Sequence, residues 1–126
     1  MSNNRGQSLV LFVLVIPIVL LVIVGIIDIG KISLLKEELD NINYITIDYG
    51  LDNLDKNDIN EDLETVIKKN KTDIEKINIE IDNKQIKIVL EDNVNLVLLK
   101  NSNILSIKSS YIGYLDEDKK IIERNK

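Results

Sequence analysis

The sequence predicts an α+β protein: a long N-terminal transmembrane helix that continues into an amphipathic helix, then a short helix and a small three- to four-stranded antiparallel sheet. Three observations predict this fold class. An unbroken apolar run covers residues 9–27, a charged and net acidic region follows it, and apolar residues alternate with polar ones between residues 77 and 90. We expect five segments: an N-terminal end (1–8), the transmembrane helix (9–27), its amphipathic extension (28–50), a small α+β domain (51–115) and a charged tail (116–126).

Composition excludes several classes of function. The chain has 126 residues, which allow one domain of ordinary size, and it contains no Cys and no His. It therefore cannot hold a Ser-His-Asp or Cys-His nucleophile pair, a structural zinc site of Cys and His, or a disulfide. We expect a protein that is not an enzyme and that uses no cofactor and no metal.

The apolar run has the length of a membrane span. Its nineteen residues, 9–27, contain no charged and no hydrogen-bonding side chain. At about 1.5 Å per residue they cover roughly 28 Å, close to the roughly 30 Å hydrocarbon core of a bilayer. Pro17 is expected to bend this helix without ending it. A cleaved signal peptide would have a shorter apolar region and small residues at its cleavage site, and residues 25–31 offer no small-x-small pair.

The residues after the span predict a helix that packs on its own domain. Apolar residues recur at helical spacing in Ile32, Leu35, Leu39, Ile42 and Tyr49, with Thr46 as the polar member of the same stripe. One helix is therefore expected from about residue 8 to residue 49, with Gly50 and the polar residues 52–57 ending it. Fewer than three clean heptads are visible, so packing within the domain is favoured over a coiled-coil seam.

A second helix and a sheet are expected next. Asp58 and Glu61 resemble a capping box, Ile59, Leu63, Val66 and Ile67 share one helical face, and lysines follow at 68, 69 and 71. The period then changes to two over 77–81 and 86–90, around a turn at 82–84, which is typical of a β-hairpin. Residues 94–99 and 105–111 supply one or two more strands, and residues 116–126 are charged enough to fray.

Other candidate sites in the chain are weak. Residues 55–62 resemble a calcium loop, but the EF-hand positions for Gly and for the bidentate Glu hold Leu63 and Lys69. Asn70 begins a glycosylation triplet of the kind that a chain rich in Asn matches by chance. No Gly-rich phosphate loop and no basic stripe with aromatic residues is present, and the net charge is −5, so nucleic acid is not an expected partner.

The N-terminal residues carry a family resemblance. They run RGQSLVLF over 5–12, then Pro17, then GIIDIGK over 25–31. This opening resembles that of the TadE-like family of pilus-assembly proteins, which are similar to small type IV pilins. By that resemblance Gly6 matches the last leader residue and Gln7 the first mature one. Phe12 matches an aromatic residue of the helix, Pro17 the mid-span proline, and Asp28, Gly30 and Lys31 the exit from the membrane.

The chain departs from the family pattern at two positions. Leu11 stands where the family has a Glu, which in pilins is understood to pair with the N-terminal amine of a neighbouring subunit, and Ile29 stands where an aromatic is usual. The resemblance implies cleavage between Gly6 and Gln7 by a prepilin peptidase, and helix assembly through the region of Leu11, Phe12 and Pro17.

Two functions remain open from the sequence. The first is a pseudopilin-like component of a Tad-type pilus or secretion apparatus, a single-pass protein of the bacterial cell membrane. Its partners would be membrane lipid, a prepilin peptidase and other pilins or pilus-assembly membrane proteins. The second is a membrane-tethered extracytoplasmic sensory or adaptor domain unrelated to pili. The cytoplasmic position of the N-terminus rests on the resemblance, because Arg5 is the only basic residue before the span while Lys31 and Lys36 follow it.

Overall fold

A computed structural model of the chain describes residues 2–98 and 104–125. It contains two helices, α1 (Ser2–Asp52) and α2 (Ile59–Asn70), followed by four strands, β1 (Lys76–Asp82), β2 (Gln85–Asn95), β3 (Ile104–Asp116) and β4 (Lys119–Arg124). The strands form one antiparallel sheet in the order β1-β2-β3-β4. The α+β prediction, with a long first helix, a short second helix and a sheet of four strands, is confirmed.

Tight turns join β1 to β2 and β3 to β4. Asn83 and Lys84 both have positive φ, 43° and 67°, and they connect the paired residues Asp82 and Gln85. Two consecutive residues of positive φ are typical of the two-residue turn whose twist matches that of the flanking strands. The hairpin predicted from the alternating residues is therefore confirmed, with Ile79 opposite Ile88 and both side chains on the helix-covered face.

The strand expected over 94–99 is not a separate element. Residues up to Asn95 continue β2, which is eleven residues long, and Leu99 lies outside the described residues. β2 is central to the domain because it pairs with β1 on one side and with β3 on the other.

The predicted end of α1 at Gly50 is wrong by about half a turn, because the helix continues through this residue to Asp52. A Cβ on Gly50 would lie 2.6 Å from Ile86 Cδ1, closer than real Cβ atoms come to a neighbour. Gly113 of β3 faces α1 in the same way, and a Cβ there would overlap Ile47 Cγ2. These two glycines therefore let the helix lie close against the sheet, and Gly50 serves packing rather than termination.

The second half of α1 packs on the sheet as its apolar spacing predicts. Leu35, Leu39 and Ile42 are buried against the domain, and Thr46 donates a hydrogen bond to the carbonyl of Ile42. The rest of the buried apolar core comes from all parts of the domain except β1 and β4: Ile47, Leu51, Ile59, Leu63, Ile67, Ile86, Ile88, Leu90 and Ile107. The helical stripe thus serves the core of its own domain.

α2 has the predicted buried face but not the predicted cap. Ile59, Leu63 and Ile67 are buried, and Lys68 and Lys69 lie in the last turn as expected. Asp58 occupies the N-cap position with φ −105° and ψ 33°, and its side chain makes no capping hydrogen bond. The expectation of a capping box is therefore wrong, since this backbone conformation is not the extended one in which a cap side chain reaches the helix amides.

The charged tail is also more ordered than its composition indicates, because Lys119–Arg124 forms β4. Glu117 and Asp118 make a second turn with positive φ, and Ile122 packs against the core. Lys120 lies 2.9 Å from a carboxylate oxygen of Asp48 and 3.0 Å from one of Asp52. The frayed tail expected for 116–126 is therefore wrong for the part that pairs with β3, and Lys126 lies outside the described residues.

Candidate functional site

The first half of α1 projects from the rest of the molecule. The large apolar side chains from Leu9 to Ile23 are 43–68% exposed, although nearly all are Leu, Ile or Val. Within residues 2–98 and 104–125, α1 is the one helix long and apolar enough to cross a membrane. A core helix of a soluble protein would be buried, so this half of α1 is not part of the core formed by the head, which we define as residues 28–98 and 104–125.

The residues of the proposed processing and assembly site lie on this projecting half. Gly6 and Gln7 are in the first turns of α1, and a Cβ on Gly6 would meet no atom within 4 Å. Leu11 and Phe12 are 62% and 65% exposed, and no part of the head contacts this end of the helix closely enough to bury them. All four are therefore open to an external partner.

Pro17 lies inside α1, and the helix neither ends nor begins there. A proline removes one backbone N–H and frees the carbonyl four residues earlier, here that of Val13. The prediction that Pro17 does not end the helix is confirmed. The helix is therefore one continuous element from the projecting half into the head.

Asp28 and Lys31, which the resemblance predicts at the exit from the membrane, contact a loop of the head. Asp28 is only 6% exposed, and its Oδ1 and Oδ2 accept the backbone N–H groups of Val97 and Leu98 at 2.8 and 2.9 Å. Lys31 Nζ donates to the carbonyl of Asn95 at 3.4 Å. Gly30, the third exit residue, has open space around it and takes no part in this junction.

The electrostatics of Asp28 favour its charged form. The N–H of Val97, and then that of Leu98, hold the pKa of the Asp28 carboxyl below its usual value, and Lys31 acts in the same direction. Burial of the side chain opposes these effects but does not outweigh them. Asp28 is thus an ionised acceptor that fastens the loop after β2 to the end of the apolar run.

Sequence reasoning missed the loop partner of Asp28. The loop begins with Leu96, Val97 and Leu98, directly after the alternating residues of β2. Consecutive apolar residues at the end of an otherwise alternating strand are the available signal, because such a run places apolar side chains on both sides of the chain. The contact with residue 28 could not be read from the sequence, since the partners are 69 and 70 residues apart.

A buried polar cluster fixes the upper half of α1 on the sheet. Asn43 is fully buried, and its Nδ2 donates to the carbonyls of Ile88 and Ser109 at 3.0 and 3.2 Å. Ser109 Oγ donates in turn to Asp40 at 2.6 Å, and Arg124 binds the other oxygen of the same carboxylate at 3.1 Å. Because a buried polar group left without a partner is costly, this cluster favours one position of α1 along the sheet.

Other candidate sites in the described residues are modest. No group of three or more His, Cys, Asp or Glu side chains in them is arranged to hold a metal ion. Within the calcium-loop-like segment, Lys56 lies 3.8 Å from Asp62, so a cation already faces one of the carboxylates. An open groove of about 520 Å³ lies between α2 and β1, lined by Asn60, Glu61, Glu64, Ile77, Asn78 and Ile79.

Comparisons with known proteins do not extend this description: no protein-family model, no characterised protein and no solved structure matches the chain. The function is therefore inferred from the residues and the geometry described above, together with the resemblance carried by residues 5–31.

Proposed function

We propose that this protein is a non-enzymatic, pseudopilin-like structural subunit of a Tad-type pilus or secretion apparatus, anchored in the cell membrane by the first half of α1. One observation supports the proposal above the others. A single unbroken helix, Ser2–Asp52, has an exposed apolar half and a half that packs on an acidic α+β head. Such a helix can hold the head at a fixed distance and angle from the membrane in which its other half lies.

Residues 9–27 supply the anchor in this proposal. Nearly all of their side chains are exposed, so either lipid or the apolar helices of other subunits can cover them. Helices associate in lipid by close packing and interhelical hydrogen bonds, since lipid itself is as apolar as the side chains. Leu11 and Phe12 would contact neighbouring helices, and Leu11 offers packing where a glutamate would offer an ion pair.

The head would face outward, with the N-terminus in the cytoplasm. Most of its acidic and basic side chains are at least partly exposed, and the face of the sheet away from α1 pairs Lys76 with Glu91 and Glu80 with Lys87. Protease added to intact spheroplasts should therefore remove a C-terminal tag and leave the N-terminus protected. A tag that is lost only after cell lysis would reverse the proposed topology.

Processing tests the pilin interpretation directly. A prepilin peptidase should cut between Gly6 and Gln7, leaving a mature chain that begins QSLVLF. The bond lies in a helical turn, and the cut requires that turn to open. A glycine within a helix weakens it by roughly 0.8–1.0 kcal/mol relative to alanine, which makes this turn easier to open than its neighbours.

The measurement is the intact mass of the membrane-extracted protein, with and without the co-expressed peptidase. Loss of the first six residues in the wild type and their retention in Gly6→Val support the proposal, and Gly30→Val serves as a matched control at an open glycine that the peptidase should not need. A full-length wild-type chain in the native host, with the peptidase present, would contradict it. If cleavage occurs, Leu11→Glu should increase incorporation into any filament, because its carboxylate could pair with a neighbour's new amine.

The tethered sensory or adaptor domain remains the second candidate. The open groove between α2 and β1 favours it, because a partner chain or a small ligand could lie there beside the exposed Asn78. An uncleaved chain that loses its cellular effect in Asn78→Arg, with the membrane anchor intact, would favour this function. Genes for a prepilin peptidase and a secretion ATPase beside the coding gene would favour the pilus.

A further inference from the structure

Leu98, in the loop after β2, lies beside the last turns of the apolar run. A Cβ placed on Gly25 would lie 3.6 Å from Leu98 Cδ1, which is ordinary van der Waals contact. Gly25 is two residues inside the end of the run at residue 27, or about 3 Å along the helix. Leu98 therefore lies level with residues that, under the proposed function, are inside the membrane.

Val97 and Leu98, in the described part of this loop, are apolar and half exposed. Val97 and Leu98 are each 47% exposed, although nothing in the alternating pattern of β2 requires two large apolar residues at this end. Isolated exposed apolar residues are normal on protein surfaces. Here, however, the two side chains adjoin the exposed apolar helix, so Val97 and Leu98 continue its apolar surface.

The backbone N–H groups of Val97 and Leu98 suit a poorly hydrated environment. The N–H groups of Val97 and Leu98 are both donated to the Asp28 carboxylate, at 2.8 and 2.9 Å. An unpaired amide is costly to remove from water, and these two are already paired within the protein. Asp28 itself is only 6% exposed, so its charge is compensated by donors and not by bulk water.

We propose that Val97 and Leu98 insert into the same bilayer that α1 crosses, at the boundary between headgroups and acyl chains, and give the head a second contact with lipid. This proposal rests on the membrane anchoring put forward under the proposed function. Lipid is the occupant favoured by position, because the two side chains continue the lipid-facing surface of α1. Two half-exposed side chains also offer far less area than the roughly 800 Å² per partner that a stable protein interface buries.

The chain contains no Cys, so a single introduced cysteine is a unique labelling site. Full-length Leu98→Cys, Val13→Cys and Lys84→Cys are each labelled with an environment-sensitive fluorophore and reconstituted into phosphatidylcholine and phosphatidylglycerol vesicles, with and without lipids brominated on the acyl chain. Val13 reports the span itself. Lys84 is exposed in the β1–β2 turn, beyond Gly50 at the far end of the head, and is the control that should stay in water.

Position 98 should show a blue-shifted emission and quenching by lipids brominated near the headgroup. Position 13 should be quenched by lipids brominated deep in the chain, and position 84 by neither. Quenching at 13 with none at 98 would overturn the second contact while leaving the anchor in place. No quenching at 13 would overturn the anchor, and the second contact with it.

Two further results bear on the occupant and on Asp28. A blue-shifted label at 98 that bromine does not quench, and that reverts when the protein is diluted with excess lipid, would show a second copy of the chain in place of lipid and overturn the proposal. Asp28→Asn keeps the size of the side chain but leaves one carbonyl acceptor for two amides. It should reduce quenching at 98 and leave quenching at 13 unchanged, whereas unchanged quenching at 98 would refute the role given to Asp28.

Discussion

Gly113→Ala tests how closely α1 lies against the sheet. A Cβ at this position would overlap Ile47 Cγ2 and would lie 3.3 Å from Leu51 Cδ1. Ile47 is fully buried and branched at Cβ, so its rotamer in a helix is strongly restricted and the methyl cannot turn away. The substitution therefore forces the helix and β3 apart.

The expected loss follows from two opposing effects. Overpacking a core by one methyl costs about 1–3 kcal/mol, and replacing glycine by alanine within a strand regains about 0.5–1 kcal/mol through backbone entropy. The free energy of unfolding should fall by up to about 2.5 kcal/mol, with a central value of about 1 kcal/mol, against the roughly 5–15 kcal/mol typical of a folded domain. Gly30→Ala, where the new Cβ meets open space, should cause no loss.

A double-mutant cycle with Ile47→Ala isolates the contact. That variant removes the obstructing methyl and alone should cost about 2–5 kcal/mol. The loss of stability in the double variant should be smaller than the sum of the two single losses by about 1–3 kcal/mol. The reason is that the added Cβ then occupies the space that Ile47 vacates.

The assay is urea unfolding of the full chain in detergent micelles, followed by near-ultraviolet circular dichroism of its four tyrosines. If the unfolding free energy falls with urea concentration at the same slope in the wild type and the variants, the variants change stability and not the extent of unfolding. Losses that add within about 0.5 kcal/mol would refute the close approach of Ile47 to Gly113.

Three further predictions concern the head. In urea unfolding, fragment 28–126 should be more stable than fragment 41–126 by about 3–6 kcal/mol. The shorter fragment lacks the buried Leu35 and Leu39, each of which contributes about 1.5–3 kcal/mol. Equal stability of the two fragments would contradict the place of these leucines in the core. Ile88→Asp should lower the free energy of unfolding by at least about 3 kcal/mol, because Ile88 is fully buried. Asn78→Asp should lower it by less than about 0.5 kcal/mol, because Asn78 is exposed. Similar losses in the two variants would mean that the faces of the sheet are misassigned. The pKa of Asp28 is lowered in the folded protein, so the amides of Val97 and Leu98 should be fully protected from hydrogen exchange above the ordinary pKa of 3.8. This protection should be lost as the pH falls through the lowered pKa. Protection that persists at lower pH, or that is unchanged in Asp28→Asn, would contradict the contact.

The elements that the sequence predicts well are those set by local periodicity. Residues 9–27 have no competing pattern, and the alternation around Ile79 and Ile88 admits one register once the turn at Asn83 and Lys84 is recognised. In the hairpin one face must be buried, so a shift by one residue would expose its whole apolar set.

The elements that it predicts poorly depend on distant partners. Gly50 is a helix breaker by propensity, yet it lies inside α1 because Ile86 occupies the space that a side chain would need. Residues 119–124 are mostly charged, yet they form β4 because β3 offers a free edge and Asp48 and Asp52 receive Lys120. Tertiary contacts override local preference at both places.

The candidate site divides in the same way. The resemblance predicts a site at Gly6, Gln7, Leu11 and Phe12, and these residues all lie on the exposed half of α1. For Asp28 the resemblance predicts only a place at the end of the span. Its role as an acceptor for a loop that follows 69 residues later depends on how β2 ends, which no local pattern encodes.

The unbroken course of α1 has a mechanical consequence. Because α1 is continuous from residues 9–27 into the head, the proposed anchor and the head must tilt together as one rigid body. Residues 28–52 extend about 37 Å beyond the span, so a tilt of about 20°, common for membrane helices, displaces the far end sideways by roughly 13 Å. Helices tilt more when the bilayer is thinner than their apolar length, so membrane thickness would set where the head presents its outer face to neighbouring subunits.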